Sequence, residues 1–199
     1  MGRSISLKTI LKNCFLSVLV QFVSLFTTFV LGFIVPKFVD ELNYAYWQAY
    51  TLYATYTGVL HFGILDGLIL RYSGTDYADF DKKKMRSQLA VVFGLNLVTA
   101  VVISAVSSQV LDWNYFLILS IFALAVVTKN VFLYFSYALQ IANRVKPYAA
   151  IVIIQKGVYL VGVAALLIAG VQDFYWYCLA DIVGDVVGII VGAAFNKGL

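Results

Sequence analysis

Long apolar runs separated by short polar segments make up most of the chain. A helix that crosses a membrane needs about 20 mostly apolar residues, and six of these runs are long enough. The pattern therefore predicts an all-α integral membrane protein with six transmembrane helices, forming a single domain over residues 1–199 without room for a soluble domain. The predicted spans cover approximately residues 11–36, 44–70, 88–110, 115–142, 148–170 and 175–195.

The amino-acid composition supports this class of protein. Only 12% of the residues are charged and 62% are hydrophobic, and the mean hydropathy is +0.91, whereas soluble proteins carry about 25% charged residues. The net charge of +4 does not indicate nucleic acid as a partner, because in a membrane protein the placement of basic residues matters more than their sum. Membrane lipids are the expected surroundings. The sequence predicts neither a cofactor nor an enzymatic activity.

The basic residues predict the orientation of the helices. Eleven of the fourteen lysines and arginines fall near the N-terminus, near the C-terminus or in the loops 71–87 and 143–147. Basic loops stay on the cytoplasmic side, so both termini of this multi-pass protein of the cell membrane are predicted to be cytoplasmic. Three tryptophans fall at the opposite helix ends, where an interfacial aromatic belt is expected: Trp47, Trp113 and Trp176.

Four ionisable residues lie inside predicted spans, namely Lys129, Lys156, Asp181 and Asp185. An ionisable side chain at the bilayer centre costs at least about 2.5 kcal/mol and almost always faces protein or a water-filled cavity. The predicted depths of the four overlap, and the two aspartates, four residues apart, share one helix face. Two interpretations stay open: an ion pair between Lys129 and one aspartate locks the fourth and sixth spans together, or the charges serve transport.

The first two spans carry polar stripes at helical spacing. The stripes consist of Ser17, Gln21, Ser24 and Thr28 in the first span, and of Tyr46, Tyr50, Tyr53, Thr57 and His61 in the second. Packing explains such stripes, since polar side chains bond across membrane helices for about 0.6 kcal/mol each. Adjacent stripes of hydroxyls and tyrosine rings also make a wall suited to sugars, so Gln21, Tyr50, Tyr53 and His61 are candidate substrate contacts. His61 alone predicts no metal site, because no partners lie at ligand spacing.

The loop at residues 71–87 is the most basic in the chain. Its lysine run is explained by membrane topology and by contact with anionic lipids. Arg71 differs from that run because it ends a predicted helix. Together with Arg144 it forms a candidate cationic mouth on the cytoplasmic side, where a diphosphate would find the positive charge it needs.

The stretch around the second span resembles a known family. Tyr46-Trp47-Gln48, His61-Phe62-Gly63, Asp66-Gly67 and the segment Leu70-Arg71-Tyr72-Ser73-Gly74 resemble the second membrane helix and following loop of bacterial polysaccharide-biosynthesis proteins. Those proteins are lipid-linked oligosaccharide flippases of the multidrug/oligosaccharidyl-lipid/polysaccharide exporter superfamily. The glycines of this stretch permit a helix to bend. The resemblance extends more loosely over the whole chain.

The resemblance implies a transporter for surface polysaccharide biosynthesis. Its substrate would be a polyprenyl-diphosphate-linked oligosaccharide, taken up from the cytoplasmic leaflet and released outside by alternating access. Members of the family resemble two lobes of six helices. This chain would then supply one N-terminal lobe of an exporter-type fold, and a second six-helix lobe or a homodimer partner would complete it.

Depth and charge suggest which residues serve this transport. Asp181 and Asp185 are candidates for coupling to protons or sodium, because a low-dielectric cavity raises the affinity of a carboxylate for protons. The candidate contacts for the substrate head group are Lys129, Lys156, Arg71 and Arg144.

Two other functions remain open. The first is a non-transporting membrane scaffold or assembly partner. The second, a membrane CDP-alcohol phosphotransferase, is less favoured, because its metal-binding carboxylate pattern needs another acid where Gly63 stands. Its later aspartates would also have to follow Asp66 closely, and Asp181 lies on a distant span.

Overall fold

The structure of the chain, a computed structural model, describes residues 7–73, 75 and 79–196. Within this part the regular elements are helical, and none is a strand. The helices are α1 (Leu7–Ile34), α2 (Glu41–Thr55), α3 (Ile64–Tyr72), α4 (Lys82–Val110), α5 (Trp113–Ile141), α6 (Val145–Ile168) and α7 (Phe174–Phe195).

Five helical segments of the described chain are long and apolar enough to cross a membrane. They correspond to α1, α4, α5, α6 and α7, so the prediction of an all-helical protein with membrane-compatible spans is confirmed at this level. Large apolar side chains such as Phe15, Phe22, Val98 and Ile168 are exposed on the outside of the bundle. A surface that faces lipid needs no polar cover, and this distribution is typical of one.

The predicted second span is broken and is not among the five long apolar segments. After α2 the chain forms a 3-10 helix over Thr57–His61, and α3 begins only at Ile64. Phe62 and Gly63 both have left-handed backbone angles, with φ of 49° and 74°. Two consecutive left-handed residues cannot continue a right-handed helix, so this stretch forms two short α-helices separated by a 3-10 helix instead of one continuous helix.

Buried amides from neighbouring helices support this break. The side-chain amide of Asn130 on α5 donates to the carbonyl of Thr57 at 3.2 Å and to Oδ1 of Asn96 on α4 at 2.7 Å. Asn96 in turn donates to the carbonyl of Val92. Both asparagines are buried. The backbone carbonyl of Thr57 at the break is therefore bound to a neighbouring helix by protein groups, without needing water, which lipid would exclude.

Replacing Asn130 is expected to destabilise the fold. Asn130→Leu removes the bond to the Thr57 carbonyl and leaves Asn96 Oδ1 buried without this donor, which costs about 1–3 kcal/mol. Thermal unfolding of the purified protein in detergent measures the loss. Thr99→Val is the matched control, because the Thr99 hydroxyl bonds only to a carbonyl of its own helix. Equal unfolding temperatures for the two variants would show that the amide network does not support the break.

Hydrogen bonds at both ends of the bundle fix the helices relative to one another. At one end, Asn13 on α1 bonds to Asn143 in the loop before α6. At the other end, Gln172 in the loop before α7 accepts from the backbone N–H of Asp40, which caps α2, and donates to the carbonyl of Phe38. The starts of α1 and α6 therefore lie at one end of the bundle and their ends at the other, so these two helices run in the same direction.

The cap of α2 is itself well defined. The carboxylate of Asp40 accepts from the backbone N–H of Asn43 at 3.0 Å and from its side-chain amide at 2.9 Å. The backbone hydrogen bond, followed by the side-chain one, holds the pKa of the Asp40 carboxyl below its ordinary value. Asn43 also accepts from the backbone N–H of Phe174 through its side-chain oxygen, so the start of α2 is bound to the start of α7.

Candidate functional site

The intramembrane charges of α5 and α7 form one cluster. Lys129 Nζ lies 2.6 Å from Asp181 Oδ2 and 3.1 Å from Asp185 Oδ2. The two aspartates share one face of α7, as their spacing predicts, and both are buried. Lys129 therefore pairs with both carboxylates at once, whereas the ion-pair interpretation required only one.

Two further helices contribute hydrogen bonds to the cluster. The hydroxyl of Tyr50 on α2 donates to Asp181 Oδ2 at 3.0 Å, and the side-chain amide of Gln155 on α6 donates to Asp185 Oδ1 at 2.8 Å. Tyr50 and Gln155 are themselves buried. Asp181 and Asp185 are thus held from three helices, and Tyr50, predicted to contact substrate, contacts a carboxylate.

Glycines on α7 allow these groups to meet. A Cβ at Gly184 would lie 2.8 Å from the carbonyl oxygen of Gln155, and one at Gly188 would lie 2.6 Å from the ring of Phe132. Small residues at this four-residue spacing let membrane helices approach closely. The repeat of Gly184, Gly188 and Gly192 was the sequence signal for this contact. Neither this repeat nor Gln155 was among the features predicted from the sequence.

A cavity of about 400 Å³ lies beside the cluster, within the range of about 300–1,000 Å³ typical of ligand pockets. Lys129 and Asp181 lie on its wall, together with Lys156 of α6. Lys156 forms no hydrogen bond or ion pair with the described residues. One carboxylate, that of Asp181, and two ammonium groups therefore line this space, and Asp185 lies behind them in contact with Lys129. The remaining lining residues are Thr27, Thr28, Leu31, Gly32, Trp47, Gln48, Thr51, Ala54, Thr55 and Tyr159.

Trp47 is the one predicted belt tryptophan that the structure places elsewhere. It is only 3% exposed and lies on the cavity wall, whereas Trp113 and Trp176 are exposed. The reason is the position of α2, which packs against α5 and α7. The Trp47 ring accordingly lies 6.5 Å from that of Tyr177, on α7.

Three other predicted substrate contacts lie outside the cavity lining. Gln21 is exposed on α1. The ring of Tyr53 lies 5.8 Å from that of Phe122. His61 is buried at the break between α2 and α3, where its Nδ1 accepts from the backbone N–H of Gly63 at 3.2 Å. The structure therefore does not bring these three residues together with the charged cluster.

The predicted cationic mouth involves Arg71 and Arg144. Arg71 is exposed near the end of α3 and forms no hydrogen bond or ion pair with the described residues. Arg144 donates to the carbonyl of Phe195 at 2.8 Å, which ties the start of α6 to the end of α7. Arg144 thus has a structural contact, whereas Arg71 is open to a ligand or to lipid head groups.

The cluster has a defined chemical capacity. It holds two buried carboxylates and one ammonium group, which leaves one negative charge in excess, and a second ammonium group, that of Lys156, lies on the wall of the neighbouring cavity. Among the described residues, no three His, Cys, Asp or Glu side chains are grouped so that they could hold a metal ion. Comparison with known proteins finds no matching family model, no matching curated protein and no matching solved structure.

Proposed function

We propose that the chain is one lobe of a transporter that moves a polyprenyl-diphosphate-linked oligosaccharide across the cell membrane for surface polysaccharide biosynthesis. The observation that carries this proposal is the cluster of Lys129, Asp181 and Asp185, of which Lys129 and Asp181 line a cavity of about 400 Å³, inside a bundle with an apolar exterior. Ionisable groups at membrane depth are costly, and they mark substrate or ion pathways. The substrate class comes from the resemblance of residues 46–74 to oligosaccharide flippases.

The proposal includes the broken segment as a sixth span with both termini in the cytoplasm. Its start is bound to the loop before α7 through Asp40, and Tyr72 packs near its end with Met85 and Tyr134 in one apolar cluster. Transporters commonly place discontinuous helices beside their binding sites, and Thr51 and Thr55 of α2 line the cavity. A second six-helix lobe or a second copy of the chain would close the cavity on the side of α1 and α2.

Asp181 and Asp185 are the proposed coupling groups. Lys129 forms an ion pair with each of them, and a proton or sodium ion bound to either carboxylate would compete with the ammonium group for the same oxygen. Exchange between these partners would change which helices the cluster holds, because Tyr50 on α2 shares Asp181 Oδ2 with Lys129. Ion binding driven by a gradient would thereby change the helix contacts at the cavity wall.

A variant without the three clustered charges tests the proposal. In Lys129→Met/Asp181→Asn/Asp185→Asn, the buried positions stay filled, and charge is removed from both sides of the pairs. We expect the protein to reach the membrane at its normal level, while surface polysaccharide falls at least tenfold in cells where the variant is the only copy. Asp79→Asn, which removes an exposed carboxylate outside the cluster, is the control and should retain full polysaccharide.

A membrane scaffold is the second candidate, and one observation favours it. Lys129 forms ion pairs with both carboxylates, and these pairs are sufficient to hold α5 against α7 in a protein that transports nothing. Normal surface polysaccharide in the triple variant, at normal membrane levels, would support the scaffold and contradict transport through this site.

A further inference from the structure

We infer that the cavity binds an uncharged, hydroxyl-rich saccharide ring and leaves the diphosphate outside, an inference that rests on the proposed transport function. The sequence suggested the opposite assignment for Lys129 and Lys156, as contacts of a charged head group. The distribution of hydrogen-bond donors and acceptors on the cavity wall distinguishes between the two ligands.

Four threonine hydroxyls line the cavity, and each donates its single proton to a carbonyl of its own helix. A hydroxyl whose proton is used in this way has only lone pairs left for another group. The wall formed by α1 and α2 therefore offers acceptors. The bonds run from Thr27 to the Val23 carbonyl at 2.8 Å, from Thr28 to Ser24 at 3.1 Å, from Thr51 to Gln48 at 2.8 Å and from Thr55 to Leu52 at 2.6 Å.

Asp181 adds a charged acceptor to the same wall. Its Oδ2 atom contacts Lys129 and accepts from Tyr50. The other oxygen, Oδ1, forms no hydrogen bond within the described part of the chain. Because an ionised carboxylate accepts hydrogen bonds and donates none, this oxygen is suited to a ligand that carries donors.

The charges around the cavity do not favour a diphosphate. Lys129 is occupied by two carboxylates, so Lys156 is the unpaired cation on this wall. A diphosphate presents acceptor oxygens and several negative charges, and it would face the threonine lone pairs and the Asp181 carboxylate. A sugar hydroxyl both donates and accepts, so one ring can donate to these acceptors and accept from Lys156.

Aromatic side chains complete the site. Trp47 and Tyr159 line the cavity and are 3% and 6% exposed. Their rings give an apolar surface for the C–H face of a sugar, and small-molecule sites typically combine such surfaces with a few placed polar groups.

Binding to the purified full chain in lipid nanodiscs tests the inference. The probes are methyl glucoside and inorganic pyrophosphate, and the signal is tryptophan fluorescence, with Trp47→Phe identifying the part that comes from the cavity. We expect saturable binding of methyl glucoside, without competition from equimolar pyrophosphate. Thr51→Val/Thr55→Val should weaken that binding at least tenfold, and Thr99→Val, on α4, should leave it unchanged.

Lys156→Met provides a second variant that breaks no hydrogen bond or ion pair with the described residues, and it should weaken glucoside binding several-fold. Three results would each overturn the inference. They are competition by pyrophosphate that depends on Lys156, an unchanged affinity for glucoside in Thr51→Val/Thr55→Val, and the absence of saturable glucoside binding. The measurement needs no transport. If the protein binds glucoside but cells with Lys129→Met/Asp181→Asn/Asp185→Asn make normal surface polysaccharide, only the proposed function is contradicted. If the protein transports its substrate but does not bind glucoside, only this inference is contradicted.

Discussion

Lys129→Met is expected to lower the free energy of unfolding by about 3 kcal/mol, since removing one partner of a buried ion pair leaves an uncompensated charge. Here a single ammonium group serves two carboxylates, at 2.6 and 3.1 Å. Tyr50 and Gln155 each donate one hydrogen bond to the pair, but neither carries charge. Thermal or denaturant unfolding in detergent measures the loss, and the amount of protein in the membrane should fall with it.

Two variants separate charge from side-chain packing in this prediction. Lys129→Met/Asp181→Asn/Asp185→Asn removes the carboxylate charges as well, and it should recover most of the lost stability. Lys156→Met removes an ammonium group that forms no ion pair with the described residues, so its effect on unfolding should be small. If Lys129→Met were as stable as the unchanged protein, the prediction would be wrong, and groups or ions in the cavity would have to balance the charge of the two carboxylates.

Much of the fold followed from hydropathy and depth alone. The apolar runs are long enough to specify the helices near their observed limits, and the four-residue spacing of Asp181 and Asp185 fixes their common face on any helix. The contact between Lys129 and these carboxylates followed from their similar predicted depth in the membrane, because a charged side chain at that depth almost always faces a protein partner or a water-filled cavity. Constraints of this kind act within one helix or between two helices, so they can be predicted from a single sequence.

Other features depended on three-dimensional packing and were not readable. The break at Phe62 and Gly63 lies within an otherwise helical stretch, and its hydrogen-bond partner, Asn130, is more than sixty residues away. Tyr50 lay on the predicted polar stripe, but spacing alone does not tell whether a stripe faces a carboxylate or a ligand. The threonine acceptors of the cavity were likewise visible as polar residues, and only their bonding to helix carbonyls revealed what they offer.

Gly184→Val is expected to separate α6 from α7 and to disrupt the charged cluster. Even a single Cβ at this position would lie 2.8 Å from the Gln155 carbonyl and 3.4 Å from Tyr159 Cβ. A backbone atom cannot rotate away as a flexible side chain can, so the helices themselves must move. Overpacking of this kind costs about 1–3 kcal/mol, and the unfolding temperature in detergent should fall accordingly.

The displacement of α6 from α7 should also change the charged cluster, because Gln155 contacts both position 184 and Asp185. Its carbonyl blocks position 184, and its side-chain amide donates to Asp185 at 2.8 Å. We therefore expect Gly184→Val to reduce surface polysaccharide more strongly than its loss of stability explains, when both are normalised to protein in the membrane. Gly157→Val is the matched control, since nothing lies within 4 Å of a Cβ at Gly157 on α6. Equal activity of the two variants would mean that the position of α6 against α7 does not govern the cluster, because only the substitution at Gly184 forces those helices apart.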